Sequence, residues 1–235
     1  MKTSIEKATV VIVVLMAAVG VAHATLITDS WSGSQDVPDG SPVGIANSLT
    51  ISGSSGTIQD VSVDLTISGG YNGDLYGYLV FQPTGGGSAA TEVLLNQIGT
   101  SPSNPLGESG AGFNVTLSDI GTVGNGNGGD IHDATGSPVT GIYTPDSLNT
   151  LDNTFAGLSA NGTWTLFLAD LTEGGGTSTM TGWGVGISVV PEPATWALVV
   201  FAIGALTLKL AGRRWPKMLT TAEKWRHNFQ GGKET

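Results

Sequence analysis

The stretch 58–67, IQDVSVDLTI, alternates apolar and polar residues and thereby decides the fold. Successive side chains of an extended chain point to opposite faces, so Val61 and Val63 share one face. Alternation of this kind predicts a half-buried β-strand. A turn follows at 72–74, where Asn and Gly tolerate a positive φ, and residues 75–81 form a second predicted strand. The pattern is that of a β-protein and has no helical periodicity.

Short alternating runs continue throughout residues 25–189, separated by turns rich in Gly, Ser, Thr and Asn. Further strands are predicted at 92–98, 112–117, 162–169 and 182–189. Short strands at this spacing predict an all-β domain, specifically a jelly-roll-like β-sandwich. The stretch 121–136, which contains GNGNGGD, is predicted to be one long surface loop.

The charge distribution is uneven along the chain. The 19 Asp and Glu residues outnumber the 9 Lys and Arg residues, and the formal net charge is −10. Every Lys and Arg lies at position 2, at position 7 or from 209 onward, so His132 is the one potential cation within residues 25–189. Phosphate binding needs basic side chains, so nucleic acid is excluded as a partner. The region is either a soluble, self-repelling envelope domain or one that collects Ca²⁺.

The N-terminus has the organisation of a secretory signal. Lys2 and Lys7 precede an apolar stretch at 8–21, and Ala22 and Ala24 supply the small-x-small pattern that signal peptidase reads. Residues 1–24 are therefore predicted to be a signal peptide, cleaved before the domain at 25–189. An uncleaved anchor is the alternative. The absence of cysteine is consistent with export and removes disulfides and thiol catalysis.

The C-terminal region combines a short proline motif, an apolar run and a basic pair. Its residues are Val190, Pro191, Glu192 and Pro193, then the segment 196–212, then Arg213 and Arg214. The prolines lack amide donors and predict an extended linker. The segment 196–212 is predicted to be a transmembrane helix, with the arginines on the cytoplasmic side. A buried core helix is the alternative.

This order of features over 190–214 resembles the sorting tail of PEP-CTERM proteins of Gram-negative bacteria. The resemblance implies that an exosortase at the inner membrane recognises the tail and cuts it. The protein would then be anchored in the inner membrane before processing and released afterwards to the cell surface. Residues 215–235 depart from the family, whose members commonly stop soon after the basic cluster. They are basic and aromatic, which suits a cytoplasmic tail at the membrane surface or a reading-frame extension.

Four blocks within 30–189 carry a second likeness. They are VPDG with LTISG at 37–53, IQDVSV through YNGDL at 58–75, GIYTP with Leu148, and GTWTLFLAD at 162–170 followed by GWGVGI. Their order is similar to that of the P domain (P/Homo B), which accompanies subtilisin-like proprotein convertases and also occurs alone in exported bacterial proteins. The family often carries a His before the Gly-Asp-Leu turn, and Gly69 takes that place here.

Two aspartates next to strands are the first candidate site residues. Asp74 and Asp170 are predicted to accept backbone N–H bonds at turns. The alternative is a Ca²⁺ site formed by Asp74 and Asp170 together with Asp119, since this ion takes hard oxygen ligands from separate loops. Asp130 and Asp133 in the Gly- and Asn-rich loop are a second candidate.

Two tryptophans fall at apolar positions of the predicted strands. Trp164 and Trp183 are expected to pack between the sheets, each with its ring N–H bonded to a carbonyl, or alternatively to stack on a ligand.

Catalysis is not predicted. His132 is the single histidine between residues 25 and 189, and the chain has no G-x-S-x-G, no HExxH and no cysteine nucleophile. The P domain's association with proteases does not imply protease activity, because the chain has no room for a subtilisin-like catalytic domain. A serine endopeptidase label would be inherited from the module's usual neighbour.

Three functions are compatible with the sequence. The leading hypothesis is a non-enzymatic exported protein of the cell surface or extracellular matrix, acting as a structural or adhesive component. By analogy with PEP-CTERM proteins, it would be associated with exopolysaccharide and biofilm. A second is an accessory or stabilising module of a separately encoded subtilisin-like protease. A third is a Ca²⁺-dependent carbohydrate-binding protein.

Overall fold

A computed structural model describes residues 23–120, 129–191, 202, 204 and 205. Contacts divide the chain into two units, Val21–Glu192 and a second made of Met1–Gly20 with Pro193–Thr235. The second unit is described only at Ala202, Gly204 and Ala205, which are helical. Within the part of the chain that the structure describes, no helix is long and apolar enough to span a membrane. Most of the predicted signal peptide, most of the segment 196–212 and all of the basic tail fall outside the described residues.

The first unit is built from strands. Its elements are β1 (Thr25–Val37), β2 (Ser41–Ile51), β3 (Thr57–Gly69), β4 (Leu75–Pro83), β5 (Ala90–Asn96), β6 (Phe113–Ser118), β7 (Val139–Tyr143), the short helix α1 (Leu151–Phe155), β8 (Gly162–Asp170) and β9 (Ser178–Val190). Short 3₁₀ turns lie at Asn72–Asp74 and Ile131–Asp133.

Two sheets pack against each other. One has the strand order β1-β9-β3-β6-β7 and the other β2-β8-β4-β5, and every pair is antiparallel except β6–β7. The chain passes from one sheet to the other after β1, β2, β3, β5, β7 and β8, which is the alternation of a jelly roll. The predicted all-β sandwich is therefore confirmed.

The core lies between the sheets and has the alternation predicted from the sequence. On β3, Val61 and Val63 are fully buried, whereas Asp64 is exposed. Facing them, Trp164 stacks on Phe81 with ring centroids 4.1 Å apart. This unit has a core of its own, since its buried apolar residues run from Val37 to Val189.

Both predicted core tryptophans are buried. The ring N–H of Trp164 donates to the carbonyl of Ala160 at 3.3 Å, and that of Trp183 donates to Asn47 Oδ1 at 2.8 Å. Their side chains are 0% and 2% exposed, so packing between the sheets is confirmed. The alternative of ligand stacking is not compatible with such burial. For the ring N–H of Trp183, the acceptor is the side-chain oxygen of Asn47 and not a backbone carbonyl.

Strands β1, β2 and β7 and helix α1 were not predicted as elements by the alternation. β1 is an edge strand whose residues are mostly exposed or half-buried, so polar side chains are tolerated on both of its faces. The Gly- and Asn-rich stretch also differs from expectation at its described end. Ile131 is fully buried and Ala134 is 1% exposed, so both pack into the core.

Candidate functional site

A buried turn between β3 and β4 fixes the position of Asp74. Asn72 is completely buried, its Nδ2 donates to the carbonyl of Gly112 at 3.2 Å, and its Oδ1 accepts the N–H of Gly112 at 2.8 Å. At Gly73 a Cβ would come within 2.3 Å of the carbonyl oxygen of Leu106, so a side chain does not fit there. The turn is thus clamped to neighbouring segments from both sides.

Strand pairing places Asp170 next to this turn. Asp170 closes β8 directly opposite Leu75, the first residue of β4. Asp74 is 5% exposed and Asp170 is fully buried. We call these two residues the acidic pair.

The two carboxylate oxygens of Asp170 have different surroundings. Oδ1 accepts weak bonds from the N–H groups of Gly40 at 3.4 Å and Thr172 at 3.3 Å. Oδ2 is buried and has no hydrogen-bond partner among the described residues. The sequence predicted that Asp170 accepts backbone N–H bonds at a turn, and only its Oδ1 does so. An ionised carboxylate with one unpartnered, dehydrated oxygen is costly.

The electrostatics of the acidic pair disfavour two negative charges. Burial, and then the negative charge of Asp170, raise the pKa of Asp74 above its usual value. Burial also raises the pKa of Asp170, although the N–H groups of Gly40 and Thr172 act in the opposite direction. Asp39 adds a further negative charge that acts on both carboxyls, while its own Oδ1 accepts the N–H of Gly174 at 2.9 Å. The pair therefore favours a bound proton or cation.

The chemistry of the acidic pair fits Ca²⁺ better than a transition metal. The side-chain atoms of the pair that could coordinate a metal ion are all hard oxygens. Ca²⁺ completes its coordination shell with backbone carbonyls, hydroxyls and water. A glycine-rich loop closes over the site, since a Cβ on Gly175 would lie 3.1 Å from Asp74 Oδ2. Among the described residues, no group of three or more Asp, Glu, His or Cys side chains has the arrangement of a metal site.

Asp119, the third residue of the predicted calcium set, lies elsewhere. Its Oδ1 and Oδ2 accept the N–H groups of Leu151 and Asp152 at 2.9 and 2.8 Å, at the start of α1. Asp152 in turn accepts the N–H of Val61 at 3.2 Å. Val61 and the end of β3 at Gly69 are eight residues apart, about 26 Å of extended strand. Asp119 is therefore near the opposite end of β3 from the acidic pair.

The single histidine of the sandwich is fixed at both ring nitrogens. Nδ1 lies 2.7 Å from Asp146 Oδ2, and Nε2 lies 3.0 Å from the carbonyl oxygen of Thr100. A carbonyl only accepts, so Nε2 carries a proton and donates it to Thr100, while a second hydrogen bond joins Nδ1 to Asp146. The hydrogen bond from Asp146 is the main cause of a raised pKa at His132, and burial raises the pKa of Asp146.

The remaining predicted residues are placed as follows. Asp130 Oδ1 accepts the N–H of His132 at 3.0 Å, whereas Asp133 is exposed. Ala24 directly precedes β1. Val190, the first residue of the predicted sorting motif, is the last residue of β9 and pairs with Thr57. Ala22, Glu192, Pro193, Arg213 and Arg214 lie outside the described residues.

Fold and site together define a β-sandwich with a buried acidic pair, in which Oδ2 of Asp170 has no hydrogen-bond partner among the described residues. No protein-family model matches the chain, and no curated protein matches it. Among solved structures, the chain is similar to the serine protease of Aeromonas sobria, with 16% identity, a TM-score of 0.43 and 74% of this chain covered. It is also similar to that protease in the complex with its chaperone, with 14% identity, a TM-score of 0.43 and 76% coverage. The matched region is 29% of the length of either solved chain.

Proposed function

We propose that this chain is a non-enzymatic, P-domain-like module that is exported by a Gram-negative bacterium and works outside the inner membrane. Its tail would be cut by an exosortase at the Pro-Glu-Pro motif, which would release residues from Thr25 onward to the cell surface or matrix. There it would act as a structural or adhesive component. The acidic pair, Asp74 with Asp170, would bind Ca²⁺.

The unpartnered Oδ2 of Asp170 is the observation that carries the calcium part of this proposal. A sandwich without Lys or Arg in residues 25–189 has no basic side chain to neutralise a buried carboxylate. A divalent cation from the surroundings supplies that charge instead. Extracellular calcium modules work with dissociation constants of about 10⁻⁴–10⁻³ M, a concentration range found outside the cytoplasm. An ion-dependent fold of this kind suits an exported protein.

The environment of His132 supports the non-enzymatic part of the proposal. General bases need a free lone pair within reach of substrate. Here Nε2 donates to the Thr100 carbonyl and Nδ1 is engaged with Asp146, so the ring tethers two segments. Its role is that of a structural bridge.

An accessory role beside a separately encoded subtilisin-like protease is the alternative that the P-domain resemblance implies. The two functions differ in genetic context. A neighbouring gene for such a catalytic domain favours the accessory role, and neighbouring exosortase and polysaccharide-synthesis genes favour the matrix role.

Mass spectrometry of the mature protein tests the export route. We expect the protein from wild-type cells to begin at Thr25 and to end near the Pro-Glu-Pro motif. In a strain without exosortase, the mass should increase by the uncut tail. Identical masses with an intact tail in both strains would refute the processing step.

A further inference from the structure

A groove lined by aromatic side chains lies on the outer face of the four-stranded sheet. Tyr76 and Tyr78 project outward from β4, and Phe167 projects outward from the paired strand β8. The cavity measures about 390 Å³. Its lining residues are Pro42, Tyr76, Tyr78, Asn96, Phe167, Ala169 and Leu171.

The three rings form a continuous platform. Tyr78 stacks on Phe167 with centroids 4.6 Å apart and an interplanar angle of 20°. Tyr76 meets Tyr78 edge-on at 6.0 Å and 60°. Tyr78 and Phe167 cover one face of each other in this stack, and all three rings are partly exposed, so the platform presents the rest of its apolar ring surface to water. Pro42 and Leu171, both exposed, contribute apolar walls.

Polar groups border the platform and have unused hydrogen-bonding capacity. Within the described part of the chain, no partner bonds to the hydroxyls of Tyr76 and Tyr78 or to the side-chain amide of Asn96. Cross-strand pairing of Tyr78 with Phe167 stabilises a sheet by itself, but it does not need these polar groups or a concave shape. An apolar surface with a few convergent polar groups is the usual composition of a ligand site.

Charge limits the class of ligand. None of the lining residues is charged, and residues 25–189 contain no Lys or Arg. Nucleic acids and anionic polymers would therefore find no counter-charge. A cationic ligand would need an accessible carboxylate in the groove, and none of the lining residues carries one. The uncharged lining therefore favours a neutral ligand with flat apolar faces and with hydroxyl groups at its edges.

We propose that this groove binds a neutral polysaccharide, with a pyranose ring packed against the exposed surface of the Tyr78–Phe167 stack and its hydroxyls bonded by Tyr76 and Asn96. The aromatic faces carry negative electrostatic potential and attract the C–H groups of the sugar ring. The inference rests on the proposed function, because an exported matrix protein would meet such polymers. It supplies the partner that the proposed adhesive role requires.

The test uses the full-length chain, purified in a detergent without a sugar head group, and oligosaccharides of glucose, xylose and mannose. Calorimetric titration should show binding to at least one neutral oligosaccharide and none to alginate. Y78A should weaken that binding at least tenfold, because half of the stacking platform is removed. T165A is the matched control on the same face of β8, two residues from Phe167 and outside the groove, and should bind as the wild type does.

The more conservative variants Y76F and N96A keep the test valid if Y78A unfolds. Each removes one polar group at the border and should weaken binding several-fold without lowering the melting temperature. Failure to bind any neutral oligosaccharide would overturn the inference, as would unchanged affinity in Y76F, N96A and a folded Y78A. Capture of a protein partner that depends on Tyr78, without sugar binding, would overturn it too. None of these outcomes affects the calcium response or the processed mass, so the proposed function is tested separately.

Discussion

Asp170 closes β8 opposite Leu75, so its fully buried carboxylate lies beside that of Asp74, and the N–H of Leu171 donates to the carbonyl of Asp74 at 2.9 Å. The backbone bond holds the two aspartates together regardless of their charge. Two carboxylates fixed in this way destabilise the fold while both are ionised and uncompensated.

Replacement of Asp170 by Asn should stabilise the protein in calcium-free buffer. The variant D170N removes a buried charge whose Oδ2 has no partner, and we expect a gain of about 1–3 kcal/mol in the free energy of unfolding. Urea unfolding with excess chelator measures it. D64N is the matched control because Asp64 is exposed, and it should change stability by less than about 0.5 kcal/mol. A loss of stability in D170N would contradict the account.

Stability without calcium should fall as the pH rises from mildly acid to neutral. Burial raises the folded-state pKa of Asp74, Asp152 and Asp170 above the unfolded value. The stabilisation from protonation is complete below the unfolded-state pKa and is lost as the pH rises through the folded-state pKa. Melting temperatures in chelator from about pH 4 to about pH 8 should therefore decline. A rise over this range would show that these carboxylates are stabilised by their charge.

The bridge of His132 to Asp146 and Thr100 should contribute a second pH dependence. The pKa of His132 is raised in the folded state, so its contribution is present below the unfolded pKa and is lost as the pH rises through the folded pKa. H132Q should therefore be less stable than the wild type at acid pH, and the difference should shrink above neutrality. Urea unfolding at several pH values measures this.

The neighbouring exposed residue Asp133 provides the control for that experiment. D133N should leave both stability and its pH dependence unchanged. A difference between H132Q and the wild type that is the same at every pH would indicate packing alone and contradict a proton-dependent bridge.

Removal of the Asn72 clamp should loosen the turn that carries Asp74. N72A leaves the buried N–H of Gly112 without its partner, at a cost of about 1–3 kcal/mol, while the carbonyl of Gly112 keeps its bond from the N–H of Val139. Calcium affinity should also decrease, because Asp74 follows two residues later. N114A, at an exposed position of β6, is the matched control and should retain both properties. Calorimetric unfolding with and without Ca²⁺ reports both effects. Unchanged calcium affinity in a folded N72A would contradict the claim that this turn positions Asp74 for calcium binding.

The sequence predicted the parts of the fold that depend on local alternation. β3 from Val61 to Ile67 and β8 from Gly162 to Leu168 bury every second residue, so their strands and the core role of Trp164 followed from residue order. β1 could not be found in this way, because an edge strand with mostly exposed residues has no apolar period. Its pairing with β9 joins residues more than 140 positions apart. Such pairing depends on the whole chain and not on local pattern.

The candidate site was predictable only in part for the same reason. Asp74 and Asp170 each lie at a strand end, and the sequence identified each of them as a candidate on that ground. Only the pairing of β4 with β8 shows that they are neighbours. Asp119 also stands at a strand end, yet it caps α1. The sequence did not predict the groove, because the alternate positions of Tyr76 and Tyr78 indicate only that they belong to a strand. Phe167 joins them only through pairing of β4 with β8.

Thermal unfolding of residues 25–191 with and without millimolar Ca²⁺, for the wild type and D170N, tests the central claim most directly. An ion that binds only the folded state raises its stability, by about 2.7 kcal/mol at a hundredfold excess over the dissociation constant. The account predicts a calcium-dependent rise in melting temperature for the wild type and none for D170N. An unchanged wild-type melting temperature, or an equal rise in both proteins, would contradict a calcium site at the acidic pair.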